Sequence, residues 1–215
     1  MKILNPDIDL ELFYHRRKEA PQKVLLLDYD GTLAPFHKEP NKAEPYPGIR
    51  QVLNRIMQVP DIRLVIITGR WTKDLLPLLQ LEKQPEIWGS HGLERLKTDG
   101  SYEIDSMEEQ HLDGLVAADE WIEELGLSSR CGGLELRVPG RDKGDAVRTI
   151  LREANQDGVA AYLGDDLTDE DAFRAIKGKG IGILVREELR PTAADLWIEP
   201  PEELLTFLSG WIGED

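Results

Sequence analysis

The chain has 215 residues, of which 40% are hydrophobic and 31% charged, so it can bury a core and fold as a globular domain. Its 41 acidic residues against 26 Lys and Arg give a formal net charge of −15, which argues against nucleic acid and membrane as partners. A single cysteine, Cys131, excludes an internal disulfide and a thiolate metal cage. No apolar stretch approaches the ~20 residues of a membrane span, and the first residues show no secretion signal. We therefore expect a cytoplasmic protein.

Short aliphatic segments alternate with amphipathic ones along the chain. Polar or glycine residues follow each aliphatic segment at once, which is typical of buried parallel strands. In chain order the pattern predicts a helix over Leu10–Lys18, a strand over Val24–Leu27, a helix through Ile49–Ile56, a strand over Leu64–Ile67, a helix over Asp145–Ala154, a strand over Val159–Leu163, a strand within 177–184, a strand over Leu196–Ile198 and a helix over Glu202–Trp211. This alternation predicts an α/β fold with a doubly wound parallel sheet. Ligands of such sheets bind at the carboxyl ends of the strands.

The middle of the chain departs from this alternation. Thr98-Asp99-Gly100 is a hairpin turn signal, Met107–Leu125 has the apolar spacing of a helix, and Gly132–Val138 alternates as a half-buried strand does. We therefore predict a small α+β insertion over the carboxyl edge of the sheet. The predicted division is a core of 1–104 and 141–215 with an insertion at 105–140.

Two carboxylates one residue apart follow the first predicted core strand, in Asp28-Tyr29-Asp30-Gly31-Thr32. Gly31 permits a backbone turn whose free N–H groups can bind an anion. A polar turn capped by Asp is the simpler explanation of an isolated pair of this kind. The Gly-Thr continuation and the clusters described next favour a functional site.

Two further polar motifs stand beside predicted elements. Thr68 in Thr68-Gly69-Arg70 follows the strand Leu64–Ile67, and its hydroxyl can donate to a phosphate oxygen, although a helix N-cap is the better explanation of this motif taken alone. Lys143 precedes the helix Asp145–Ala154, where its charge opposes the helix dipole. Either a nearby carboxylate cluster holds this lysine there, or it is a solvated surface residue.

The densest cluster is acidic, with five carboxylates between Asp165 and Asp171, directly after the strand Val159–Leu163. Like charges at this density repel one another unless a cation or a lysine compensates them. Carboxylate oxygens of this kind suit Mg²⁺. Acids gathered at a helix N-terminus would explain the later residues of the cluster, but not Asp165 and Asp166, which precede the helix.

These clusters resemble the four motifs of the haloacid-dehalogenase-like (HAD-like) phosphatases. The residues Asp28 to Thr32 resemble motif I, while Thr68, Lys143 and Gly164-Asp165-Asp166 match motifs II, III and IV. Within that superfamily the chain is similar to the trehalose-6-phosphate phosphatases. The stretches that carry this narrower resemblance are Asp28–Leu33, Thr68–Arg70, Gly89–Gly92, Leu134–Gly144 and Gly164–Phe173.

The resemblance implies a Rossmann-like core and an Mg²⁺-dependent phosphomonoesterase. Asp28 would be the nucleophile that forms an aspartyl-phosphate, and Asp30 the general acid and then the general base. Thr68 and Lys143 would bind the transferring phosphoryl group. The metal would be held by Asp28, the Asp30 carbonyl and Asp165, with Asp166 and Asp169 in support. Further phosphate contacts would come from Gly31, Thr32, Gly69 and Arg70.

The segment between motifs II and III is shorter than the cap of these phosphatases. Their cap carries Glu-x-Lys and His-Tyr-Arg-like stretches that grip the sugar, and neither is present here. We therefore predict a shortened cap, with the chemistry left in the core. The remaining candidates for contacting a small-molecule sugar phosphate are His91, Glu135, Arg137 and Arg141, each equally well explained as a surface or strand-edge residue.

The leading hypothesis is hydrolysis of trehalose 6-phosphate. A phosphatase for another sugar phosphate or a larger phosphorylated substrate stays open, as does a phosphoryl transferase or mutase that passes the group to an acceptor other than water. A non-catalytic regulatory module fits less well, because the motif residues are all intact. Asp30 argues against a P-type ATPase, which carries Thr at that position.

Overall fold

The computed structural model describes residues 1–104 and 142–213, which together form one mixed sheet flanked by helices. The strands in this part of the chain are β1 (Lys2–Ile3), β2 (Lys23–Leu27), β3 (Ile62–Ile67), β4 (Glu86–Gly89), β5 (Glu94–Leu96), β6 (Tyr102–Ile104), β7 (Val159–Gly164), β8 (Gly180–Val185) and β9 (Leu196–Ile198). The α-helices are α1 (Leu10–Glu19), α2 (Ile49–Ile56), α3 (Thr72–Leu79), α4 (Lys143–Glu153), α5 (Glu170–Ala175) and α6 (Glu202–Ser209).

The sheet has the strand order β1-β9-β8-β7-β2-β3-β4-β5-β6. Its central strands, β9 to β4 in that order, are parallel, while β1 and the β5–β6 hairpin add antiparallel pairs at the two edges. From β2 the chain moves outward through β3 and β4, and later continues on the other side of β2 through β7, β8 and β9. The order therefore reverses beside β2, and ligands bind in the crevice that such a reversal opens at the carboxyl ends.

Alternate side chains of the central strands build an apolar layer on each face of the sheet. In β2, Leu25 and Leu27 pack into the layer that contains apolar residues of α1, α2 and α6. Leu26 packs into the opposite layer, with residues of α4 and α5. Because helices cover both faces, most positions of these strands are apolar, which is why segments such as Val24–Leu27 and Leu64–Ile67 appear in the sequence as unbroken aliphatic runs.

The predicted α/β class and doubly wound sheet are confirmed, with differences at individual elements. Helix α4 begins at Lys143 rather than Asp145, because Asp142 caps it. One Asp142 carboxylate oxygen accepts from the Asp145 N–H at 2.8 Å, and the Asp145 side chain accepts from the Asp142 N–H at 3.3 Å. Strand β4 is not predicted from the sequence, because four residues that begin with Glu and end with Gly are too few to display a strand pattern.

The predicted turn at Thr98-Asp99-Gly100 is confirmed, since it joins β5 to β6. The helix predicted over Met107–Leu125, the strand over Gly132–Val138 and the insertion at 105–140 lie outside the described residues, so the domain division stays a prediction. Among the described helices, none combines the length and apolar character that a bilayer crossing requires.

Candidate active site

The predicted motifs meet at the carboxyl ends of three neighbouring strands. Asp28 follows β2, Thr68 follows β3, and Asp165 follows β7. The Asp28 N–H donates to the Leu163 carbonyl at 2.9 Å, which places motif I directly beside the end of β7. Lys143 enters from the start of α4, so residues far apart in the chain share one small volume.

Lys143 lies buried between two carboxylates. Its Nζ is 2.7 Å from Asp28 Oδ1 and 2.7 Å from Asp169 Oδ1, and its side chain is only 3% exposed. Burial alone would lower the pKa of Lys143, but the charges of Asp169 and Asp28 outweigh it and raise that pKa above its ordinary value. The carboxylate cluster, and not exposure to solvent, therefore explains why a lysine stands at this helix start.

Asp169 organises the motif IV loop through both carboxylate oxygens. Its Oδ1 accepts from Lys143 Nζ and, at 2.6 Å, from the Tyr162 hydroxyl. Its Oδ2 accepts from the N–H groups of Asp165 and Asp166, each at 2.9 Å. The Asp166 side chain is exposed, whereas Asp169 has no exposed surface. With each oxygen already accepting two hydrogen bonds, Asp169 acts mainly as the anchor of the lysine and the loop.

Asp165 carries the clearest sign that a ligand belongs here. It is 2% exposed, and its Oδ1 has no hydrogen-bond partner in the part of the chain that the structure describes. Gly31 lies against it with φ of +78°, and a Cβ there would come within 2.1 Å of Asp165 Oδ2. One oxygen from each of Asp28, Asp165 and Asp169 lies within 4.8 Å of the others. This set of oxygen donors, one of them unsatisfied, fits a hard divalent cation such as Mg²⁺.

The carboxyl pKa values reflect this crowding of negative charge. Burial raises the pKa of Asp28 to about 7; Lys143 opposes that rise, and the nearby Asp169 adds to it. Burial, Asp28 and Asp169 together raise the pKa of Asp165 well above its usual range. A cation among these groups would favour their ionised forms, so the site is electrostatically suited to receive one.

The second motif I carboxylate, Asp30, is held by Arg70. Arg70 Nε donates to Asp30 Oδ2 at 2.6 Å, and Nη2 binds Oδ1. The remaining Nη1 donates to the Pro40 carbonyl at 2.7 Å. Burial by itself lowers the pKa of Arg70, but the hydrogen bonds and charge of Asp30 raise it overall. The family motif predicts a phosphate contact for Arg70, whereas in the structure its guanidinium binds Asp30 and the Pro40 carbonyl.

The other predicted phosphate contacts surround the same crevice. The Thr68 hydroxyl accepts the Arg70 N–H at 3.1 Å, and the His91 N–H donates to the Thr68 carbonyl at 2.9 Å. The His91 ring covers Gly69, where a Cβ would come within 2.7 Å of Nε2. The Thr32 hydroxyl is fully buried and has no hydrogen-bond partner among the described residues. Glu135, Arg137 and Arg141 lie outside the described residues.

Two residues of the site were missed by sequence analysis. Glu94 accepts hydrogen bonds from the Thr72 N–H and from the Tyr102 hydroxyl. Glu94, and not Thr68, therefore provides the side-chain acceptor for the first N–H of α3. Tyr162 donates to Asp169 from within β7. A hydroxyl inside an otherwise aliphatic strand was the available signal for Tyr162, whereas no local pattern marks Glu94.

Comparisons with known proteins agree with this geometry. Residues 26–125 and 131–196 match the family model described as Trehalose-phosphatase. Trehalose-phosphate phosphatase B of Arabidopsis thaliana is 27% identical over 252 residues, covering 88% of this chain and 66% of the relative. Trehalose-phosphate phosphatase of Mycobacterium avium is 29% identical over 241 residues, covering 86% of this chain and 60% of the relative. The chain thus spans about two thirds or less of these relatives.

Solved structures support the fold independently. Aspergillus fumigatus trehalose-6-phosphate phosphatase superposes with a TM-score of 0.73 at 20% identity, covering 98% of this chain and 100% of the other. BT1666 of Bacteroides thetaiotaomicron, described as a phosphatase of the HAD superfamily, superposes with a TM-score of 0.58 at 18% identity, covering 88% and 95%. The family model matches well over half of the chain, and the chain therefore belongs to the trehalose-phosphatase family.

Proposed function

We propose that the chain is an Mg²⁺-dependent phosphomonoesterase that hydrolyses trehalose 6-phosphate to trehalose and phosphate. The observation that carries this proposal is the buried Asp28 carboxylate, held at 2.7 Å by Lys143 beside Asp165, whose Oδ1 has no hydrogen-bond partner among the described residues. A nucleophile, a fixed positive charge and a candidate cation site coincide there. This combination is what attack on an anionic phosphate ester requires.

In the first step a carboxylate oxygen of Asp28 attacks phosphorus, and the bond from phosphorus to the sugar oxygen breaks. Asp30 gives its proton to the departing sugar oxygen. In the second step Asp30 takes a proton from water, whose oxygen attacks phosphorus and releases phosphate from Asp28. Arg70 binds both carboxylate oxygens of Asp30, so it has to release one of them for Asp30 to transfer a proton.

Positive charge is the main requirement, since the nucleophile and the substrate are both anions. Asp28, Asp165 and the main-chain carbonyl of Asp30 would hold Mg²⁺, with Asp166 and Asp169 in support. When bound, the ion supplies charge neutralisation and orients the phosphate. Lys143 supplies a second cation at the same place, so the local site attracts phosphate even though the chain carries a net charge of −15.

Family membership supports trehalose 6-phosphate as the substrate, since the relatives named above are trehalose-phosphate phosphatases. His91, Glu135, Arg137 and Arg141 are the proposed sugar-side contacts. We place the enzyme in the cytoplasm with a small sugar phosphate as its partner. A phosphatase for another sugar phosphate is the second candidate, favoured by the absence of the family's two sugar-gripping cap stretches from the sequence.

A panel of phosphate esters tests the proposal. The purified chain should hydrolyse trehalose 6-phosphate with a higher kcat/KM than glucose 6-phosphate or p-nitrophenyl phosphate. Asp28→Asn should abolish turnover of all three while the protein remains folded, and EDTA should stop hydrolysis until Mg²⁺ is restored. Equal kcat/KM values across the panel would rule out trehalose 6-phosphate as the specific substrate. Turnover by Asp28→Asn would rule out Asp28 as the nucleophile.

A further inference from the structure

Tyr162 has a buried hydroxyl that the mechanism above does not use. The residue lies in the middle of β7 with no exposed surface, and its ring packs edge-on against Phe173 at 5.6 Å between centroids. Its hydroxyl donates to Asp169 Oδ1 at 2.6 Å. A carboxylate oxygen can only accept, so the phenolic hydroxyl is the donor in this contact.

The oxygen that Tyr162 binds is the one that holds the catalytic lysine. Asp169 Oδ1 also accepts from Lys143 Nζ at 2.7 Å, and the same Nζ reaches Asp28 Oδ1 at 2.7 Å. Asp169 Oδ2 is engaged by two loop N–H groups. Tyr162, Asp169, Lys143 and Asp28 thus form an unbroken hydrogen-bonded series that ends on the nucleophile.

We propose that Tyr162 is a positioning residue that acts on Lys143 through Asp169. By donating to Oδ1, the hydroxyl prevents the Asp169 carboxylate from turning and takes part of the charge that would otherwise draw Lys143 away from Asp28. The Lys143 ammonium is then shared evenly between Asp28 and Asp169, and it stays directed at the nucleophile and the incoming phosphoryl group. This inference rests on the proposed function, because it assigns the lysine to phosphate.

A merely structural tyrosine would behave differently. A buried hydroxyl needs some acceptor, and Asp169 provides one whether or not the contact affects chemistry. In that case loss of the hydroxyl would lower thermal stability and leave phosphate binding and kcat unchanged. Phosphate affinity is therefore the readout that separates the two roles.

The test is Tyr162→Phe, which keeps the ring and its contact with Phe173 but removes the hydroxyl. We expect kcat to fall about tenfold, and inorganic phosphate, measured as a competitive inhibitor in Mg²⁺, to bind several-fold more weakly. Ile183→Val in the adjacent strand β8 is the matched control, because it removes one buried methyl group away from the site. It should lower Tm without changing kcat or phosphate affinity.

A double-mutant cycle tests whether the effect passes through the lysine. Calorimetry with inorganic phosphate and Mg²⁺ should show that Tyr162→Phe has no further effect once Lys143→Met is present. Unchanged kcat and phosphate affinity in Tyr162→Phe, or equal losses with and without Lys143, would overturn the inference and leave the proposed function intact. A wild-type chain that neither binds phosphate nor hydrolyses any phosphate ester would overturn both.

Discussion

Removal of Mg²⁺ should make the stability of the protein fall as pH rises from 5 to 7. Asp28 is only 5% exposed, and burial raises its pKa from 3.8 to about 7 in the folded chain without metal. Between these two values the folded chain holds a proton that the unfolded chain has already lost. Unfolding then releases a proton, so each increase in pH favours the unfolded state.

The size of the effect follows from the same shift. One proton released on unfolding corresponds to about 1.4 kcal/mol per pH unit, so the free energy of unfolding should drop by about 2 to 3 kcal/mol between pH 5 and 7. Asp165 adds to the drop, since its pKa is also raised. Glu86 and Glu153 have lowered pKa values, and the stability they contribute is lost only at more acidic pH.

Urea unfolding in EDTA at pH 5, 6, 7 and 8 measures this slope. Added Mg²⁺ should restore most stability at pH 8 and least at pH 5, because the ion favours ionised carboxylates. Asp28→Asn, which lacks the titrating group, should match the wild-type stability near pH 5 and exceed it near pH 8 in EDTA. A metal-free wild type whose stability stays constant or rises from pH 5 to 7, or a variant with an undiminished slope, would show that Asp28 does not carry a raised pKa in the folded chain.

Two further substitutions probe the site and the frame around it. Gly31→Ala should lower the free energy of unfolding by at least about 1 kcal/mol, because alanine is strained at φ of +78°. It should also weaken Mg²⁺ activation more than tenfold, because its Cβ would lie 2.1 Å from Asp165 Oδ2. A Mg²⁺ titration with wild-type half-saturation would contradict the placement of that carboxylate. Glu86→Gln should cost about 2 kcal/mol in urea unfolding, because Arg63 and Arg95 lose the charge of one of the two carboxylates that they share and keep only that of Glu153, while kcat stays at the wild-type value. A large loss of kcat in the folded variant would show that this ion-pair network reaches the site.

The core fold and the meeting of the motifs could be predicted from the sequence for a clear physical reason. Strands covered on both faces need apolar side chains at every position, so Val24–Leu27 and Val159–Leu163 stand out in the sequence. Their parallel alignment then brings the residues after each strand to one edge. Asp28 directly follows one of these strands and Asp165 follows the other after Gly164, so the sequence predicts both carboxylates at that edge, and the resemblance to known motifs predicts that they share one site.

Side-chain partners could not be predicted in the same way. Arg70 was assigned to phosphate by its motif, yet it binds Asp30 and the Pro40 carbonyl, because partner choice depends on orientations that residue spacing does not encode. Asp169 was expected to support a metal, and its four hydrogen bonds became visible only with the loop geometry. Strand β4 escaped notice because its burial comes from tertiary packing rather than from an aliphatic sequence.

The ends of the chain segments on either side of 105–141 are both firmly anchored. Ile104 closes the β5–β6 hairpin opposite Glu94, and Asp142 caps the helix that begins with Lys143. A replacement linker or a grafted recognition module of different length would therefore meet two rigid attachment points and leave the reactive lysine where it is. Under the proposed function, in which Glu135, Arg137 and Arg141 contact the sugar, such an arrangement would let evolution or a protein engineer change substrate choice without rebuilding the residues that cleave the bond.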